Sequence, residues 1–202
     1  MANKSMKWLI ILVVIVIVIF SIYSGFTRTY NRMVALDEGV KTAWSQVENV
    51  YQRRFDLIPN LVETVKGYAA QEKDTFTAVT EARARAGGVM NVSDEVLNNP
   101  ESFQRFQQAQ SELSGALQRL LVVTENYPEL KSNQNFLALQ DQLEGTENRI
   151  AVERQRFNDT AREYNIYIRQ FPRKILANMS GFTQRSYFEA SAGAETAPKV
   201  QF

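Results

Sequence analysis

The strongest pattern in the chain is an unbroken apolar run from Leu9 to Phe20, LIILVVIVIVIF. Met6, Trp8, Ile22 and Tyr23 extend it to about 20 residues, and a helix rising ~1.5 Å per residue over that length spans roughly 30 Å, a bilayer's hydrocarbon core. Trp8 and Tyr23 stand at its edges, where amphipathic rings favour the headgroup region. The run predicts a membrane anchor over residues 1–26, bounded by Trp8, Leu9, Phe20 and Tyr23. Lys4 and Lys7 would also suit the start of a cleaved signal. The sites that follow do not: Ser21-x-Tyr23, Ile22-x-Ser24 and Tyr23-x-Gly25 each put a bulky residue where cleavage needs a small one. An uncleaved signal-anchor is therefore preferred to a cleaved signal, giving a single-pass protein of the cell (inner) membrane. Lys4 and Lys7 nearly balance Arg28, Arg32 and Lys41 across the run, so orientation leans only slightly to the N-terminus inside and the domain outside.

Beyond the anchor the apolar period changes to three and four. Val40, Trp44, Val47, Tyr51, Phe55, Ile58, Val62, Val65, Ala69, Phe76 and Val79 form one stripe, with a seven-residue gap spanning Glu72. Such a stripe predicts an amphipathic helix, here from about Thr27 to Ala86. Pro59 removes the bond to the Phe55 carbonyl and costs ~3 kcal/mol in a helix interior. The stripe keeps its phase across it, so one long helix kinked at Pro59 is expected in preference to a turn at Asp56–Pro59.

Residues 87–99 read as a loop, with Gly87 just past a helix end. Asn99-Pro100-Glu101 supplies a cap, a proline at the first helical position and an acid in the first turn. Phe103, Phe106, Gln110, Leu113, Leu117, Leu120, Thr124 and Tyr127 then follow a heptad. After Tyr127-Pro128, Ser132 is placed to cap a third helix running to about Phe171. Phe136, Leu143, Ile150, Phe157, Tyr164 and Phe171 recur on it every seven residues, with Glu153 and Arg154 inside the seam. The fold class is therefore all-α: a transmembrane helix followed by an antiparallel bundle of long helices with coiled-coil-like packing over 27–188. The first helix is too long for its partners, and residues 173–187 are amphipathic enough to cover part of the excess. Residues 189–202 are small and polar and read as an extended or disordered tail.

Composition removes most chemistry. The formal charge is +1 with both signs interspersed, which offers no footprint for nucleic acid. There is no cysteine, hence no disulfide or thiolate chemistry. There is no histidine, which excludes Ser-His-Asp and Cys-His triads and histidine-ligated zinc.

Several strings occur together: Tyr30-Asn31, Asp37-Glu38, Ala43-Trp44, the stretch YQRRFDLIPNLVETVKGYA from Tyr51 to Ala69, Tyr127-Pro128-Glu129-Leu130-Lys131, Thr146-Glu147-Asn148-Arg149-Ile150 and Phe157-Asn158. On these the chain resembles the bacterial LemA family, from the anchor to Phe188-Glu189. The resemblance implies one N-terminal membrane helix and an all-helical antiparallel bundle, and it implies no activity. Relatives often carry histidine where this chain has Gln71, so a role for that histidine does not transfer.

Few residues remain for a site. Arg53, Arg54, Asp56 and Glu63 flank Pro59 and form one candidate polar site, an anion-binding set at a freed carbonyl. The plainer reading is a salt-bridged helix surface, with Glu63 near Lys66. Glu144, Glu147 and Glu153 lack the Glu-x-x-His partners of a di-metal bundle, so neither a metal nor a cofactor is expected. Gln110, Thr124 and Glu72 on apolar stripes read as register-setting polar residues, or as the lining of a polar channel in an oligomer. Phe103, Phe106, Phe136, Phe157 and Phe171 read as core. Arg83 and Arg85 read as complements to a helix C-terminus. The expectation is a non-enzymatic, membrane-anchored scaffold whose partners are the lipid bilayer and either further copies or another membrane protein. No small-molecule substrate is inferred. A membrane-organising or membrane-remodelling oligomer is the alternative, and a ligand sensor or enzyme a remote one.

Overall fold

The apolar run, the proline and the first stripe fall on one helix in the computed structural model, which describes residues 2–90 and 93–189, with the side chains of 2–5, 93 and 94 left aside. That helix, α1, spans Ala2–Lys66 and passes through Pro59 unbroken. It is followed by α2 (Lys73–Met90), α3 (Ser93–Asn98), α4 (Pro100–Thr124), α5 (Pro128–Lys131), α6 (Gln134–Arg169) and α7 (Arg173–Met179). No strand occurs among the described residues.

An 18-residue stretch of α1 is strongly apolar, and none of it is buried. A helix apolar on every side and bare on every side fits a membrane span.

The chain reverses earlier than the stripe suggested. α1 ends at Lys66, residues 67–72 turn, and α2 returns antiparallel: Lys66 Nζ lies 5.8 Å from the Phe76 ring and the Arg83 guanidinium 3.7 Å from the Phe55 ring. The expected single helix to Ala86 is thus two helices facing one core, which is why the apolar phase survives the turn. Gly87 does not end a helix. It lies inside α2, where a Cβ would come within 2.9 Å of the Phe55 ring. Pro59 leaves the Phe55 carbonyl without its helical donor, and Arg83 Nε donates to that oxygen at 3.2 Å.

The start of α4 is as the sequence predicts. The Asn99 side chain accepts the N–H of Glu101 at 2.9 Å and of Ser102 at 3.4 Å. The cap of α6 is Asn133 rather than Ser132. Asn133 Oδ1 accepts the Phe136 N–H at 3.0 Å, while the Ser132 hydroxyl donates to the Glu129 carbonyl at 2.9 Å. α6 stops at Arg169, and Phe171 is 83% exposed instead of filling the core.

The described chain divides into two compact units. One unit joins the chain up to Gly39 to Arg162–Gln184. Within it Arg32 pairs with Glu163 at 2.8 Å, Tyr30 meets the Phe182 ring edge-on at 5.8 Å, and the Tyr164 hydroxyl donates to the Thr183 carbonyl at 2.9 Å. The other unit joins Val40–Ala161 to the segment from Arg185. Here residues 40–66 of α1, then α2, α4 and residues 134–161 of α6 run alternately up and down. Because α2 intervenes, α4 runs parallel to α1 rather than antiparallel: Trp44 meets Phe103, Tyr51 meets Phe106 and Arg54 meets Gln110 in the same order along both helices. This unit's interior has two apolar parts. Ile58, Val65, Phe76, Leu113, Leu120 and Phe136 belong to the larger. Trp44, Phe103, Phe106, Phe157 and Phe188 make an aromatic cluster with ring centroids 4.9 to 6.4 Å apart.

Candidate functional site

Between those two apolar parts lies a charged layer. Arg54 is i+3 from Tyr51 and i−4 from Ile58, so helical periodicity puts it on the buried stripe of α1, and it is 1% exposed. Its Nη1 donates to Ser114 Oγ at 2.8 Å and to Glu147 Oε1 at 2.8 Å, and its Nη2 to the Gln110 side-chain oxygen. Three helices (α1, α4 and α6) therefore meet on one guanidinium, which also lies 5.0 Å from the centre of the Tyr51 ring. Arg54 Nε and Gln110 Nε2 are buried without a protein acceptor. Burial raises the Tyr51 pKa above 10.0, against the opposing pull of Arg154 and Arg54.

An open cleft of about 530 Å³ borders this layer, lined by Tyr51, Gln104, Gln107, Gln108, Ser111 and Glu147. Its rim is closed by the segment from Arg185, held through its backbone. Asn158 donates to the Phe188 carbonyl at 2.9 Å and accepts the Phe188 N–H at 2.8 Å. Gln107 accepts the Glu189 N–H at 3.1 Å, and Arg154 donates to the Glu189 carbonyl at 3.1 Å. The Phe188 side chain enters the aromatic cluster, with the Arg154 guanidinium 4.6 Å above its ring. Arg185 donates to the Leu97 carbonyl at 3.3 Å and to Asn98.

The four residues expected to share a site are not brought together. Only Arg54 enters the layer. Arg53 is exposed. Asp56 accepts from Gln52 at 2.8 Å, and Glu63 pairs with Lys66 at 2.8 Å along the helix surface. Successive helical residues are about 100° apart, so Arg53 and Arg54 cannot face one site. The other polar residues flagged on stripes have local partners. Gln110 belongs to the layer. The Thr124 hydroxyl donates to the Leu121 carbonyl at 2.6 Å. Glu72 lies on the 67–72 turn and accepts from the Tyr127 hydroxyl at 3.0 Å. Desolvation, then the bond to Glu72, holds the Tyr127 pKa above its usual value. Arg83 and Arg85 are not at a helix end: Arg83 serves Phe55, and Arg85 pairs with Glu112 at 3.1 Å. Ser114 and the Phe188 plug were missed, and Glu147 entered only as a candidate metal carboxylate, although it sits four residues after Leu143 on the α6 stripe.

A guanidinium is charged at any working pH and only donates. The layer can hold helices in register and neutralise a carboxylate. No cluster of three or more acidic residues suited to a metal occurs among the described residues. Glu147 is engaged by Arg54, and Glu153 by Arg156 at 2.7 Å.

A LemA family model matches residues 43–202. Two magnetosome proteins are also similar. MamQ 2 of Paramagnetospirillum magneticum is 27% identical over 201 residues, covering 92% of this chain and 74% of that protein. MamQ of Magnetospirillum gryphiswaldense is 29% identical over 182 residues, covering 83% and 67% respectively.

Proposed function

The chain belongs to the LemA family, and from that premise we propose that it is a non-enzymatic, membrane-anchored helical scaffold that binds partners or further copies of itself at the cell membrane. The observation that carries this reading is the use of its buried and half-buried polar groups. Arg54, Glu147, Gln110 and Ser114 are committed to one another. Gln107, Arg154 and Asn158 hold the chain's own backbone at Phe188-Glu189. Such groups fix a shape, and shape is what a scaffold supplies. The bare apolar window of α1 supports placing it at a bilayer. The relatives are named as magnetosome proteins, and neither name states a reaction.

The test is to solubilise the full chain from its native membrane in mild detergent, then apply native mass spectrometry and crosslinking. A stable complex is expected, of copies of the chain or with a second membrane protein. A monomer that crosslinks to nothing would remove the proposal. Protease accessibility in intact and lysed cells reports the side on which the domain lies, with the outside expected.

A further inference from the structure

The corner between α6 and α7 presents an unusual surface. Phe171 is 83% exposed, Ile175 56% and Met179 78%, all within nine residues. No Asp or Glu occurs from Tyr164 to Gln184, while Arg169, Arg173 and Lys174 do. Arg169 and Lys174 are exposed. Arg173 lies 4.1 Å from the Tyr167 ring, which orients its charge beside the apolar tip.

The same compact unit holds the anchor, and its burial pattern fixes the level of this corner along α1. Residues 6–26 of α1 are bare throughout, Thr27 is the first to be partly covered, and Met33 is fully buried. The cover comes from the 162–184 segment, whose Phe182 touches Tyr30 at 5.8 Å. The corner therefore begins about one turn beyond Tyr23, the aromatic residue at the edge of the apolar run. In a soluble setting three bare apolar side chains so close together would stay in water. At the end of a membrane span they have a solvent, and the cations beside them have counter-charges in anionic headgroups.

We propose that the α6–α7 corner is a second membrane contact: Phe171, Ile175 and Met179 enter the bilayer interface, and Arg169, Arg173 and Lys174 engage anionic lipid headgroups. This rests on the reading of α1 as a membrane anchor. It extends that reading, because the chain then holds the bilayer at two places and the unit cannot swivel freely about its anchor.

The absence of native cysteine makes a direct test available. Single variants Met179→Cys, Ile15→Cys and Gln118→Cys of the full chain carry a nitroxide in vesicles of phosphatidylcholine with a minority of phosphatidylglycerol. Accessibility to oxygen, which concentrates in the bilayer, is compared with accessibility to a water-soluble nickel chelate. The Ile15 label should favour oxygen, the exposed Gln118 label nickel, and the Met179 label should lie between them. Adding Arg169→Glu and Lys174→Glu, or omitting phosphatidylglycerol, should raise nickel access at Met179 by about threefold. A Met179 label as open to nickel as Gln118, with Ile15 still in lipid, overturns the second contact and leaves the anchor standing. An Ile15 label open to nickel overturns the anchor itself. Protection of Met179 from both reagents would assign the patch to a protein neighbour and overturn the lipid contact. Nickel access unchanged by charge reversal and by lipid composition overturns the headgroup part. Phe171→Cys repeats the measurement at a second position.

Discussion

Replacing Arg54 by alanine tests the charged layer most directly. The wild-type side chain is 1% exposed and serves Ser114, Glu147 and Gln110 at once. Removing one member of a buried pair costs ~3–5 kcal/mol when the survivor stays buried. Glu147 is 40% exposed and can rehydrate, which pulls the figure down. Gln110 is buried and would lose its donor, which adds about 1–3 kcal/mol; the space left by the arginine stem adds a further cavity term. The expected loss is about 3–5 kcal/mol. For a domain of this size each kcal/mol moves the melting temperature by roughly 2–4 °C, so the shift should be on the order of 10 °C. Far-UV circular dichroism of the full chain in detergent micelles reads it. Arg54→Lys should fall in between, since one ammonium keeps the charge but lacks the fork that reaches three acceptors. In a cycle with Glu147→Ala, the two single losses should exceed the double loss by more than about 1 kcal/mol. A shift under about 2 °C for Arg54→Ala, or a coupling near zero, would refute the view that this guanidinium ties three helices together.

Three further outcomes follow from particular contacts. Gly87→Ala should destabilise by about 1–3 kcal/mol, because the new methyl group meets the Phe55 ring; Gly88→Ala, with open space around it, should stabilise by up to ~1 kcal/mol in the same melts. Pro59→Ala restores a helical donor for the Phe55 carbonyl, so Arg83→Ala should cost about 1 kcal/mol less in that background than alone, as a double-mutant cycle would measure. The raised Tyr51 pKa means that the folded state favours the neutral phenol. Its contribution is complete below the ordinary tyrosine pKa and is lost as pH rises through the folded value. Urea unfolding from about pH 9 to 11 should show stability falling, and Tyr51→Phe should flatten that fall; an unchanged slope would contradict the buried phenol.

How far the fold was legible follows from which forces act locally. The apolar N-terminal helix, the Asn99 cap and the heptad of α4 are each written in residues close in sequence, and each stands where the pattern put it. The turn at 67–72 was hidden because α1 and α2 present their apolar faces to the same core, so periodicity passes through the reversal; the gap spanning Glu72 was its one trace. Missing α2 as a separate helix also reversed the expected direction of α4. Arg54 was read with its neighbour Arg53 as surface charge, although its register with Tyr51 and Ile58 already placed it inside. Phe188 left no periodic signal, because an extended segment held through its backbone by Asn158 and Gln107 needs no pattern of its own. Phe171 carried a heptad signal but falls after the helix has ended at Arg169.

The plug formed by Phe188 also bears on the order of synthesis. The apolar run is made before Trp44, yet the aromatic cluster around Trp44 includes a ring from close to the other end of the described chain. Gln107 and the backbone it holds at Glu189 are 82 residues apart. While translation continues, the nascent chain must wait with Trp44 and Phe103 incompletely covered and the cluster unable to close. Contacts of such long range form late. A chain stalled or clipped before Phe188 would therefore carry its anchor and an open aromatic cluster together, a combination that quality-control proteases at the membrane are suited to recognise.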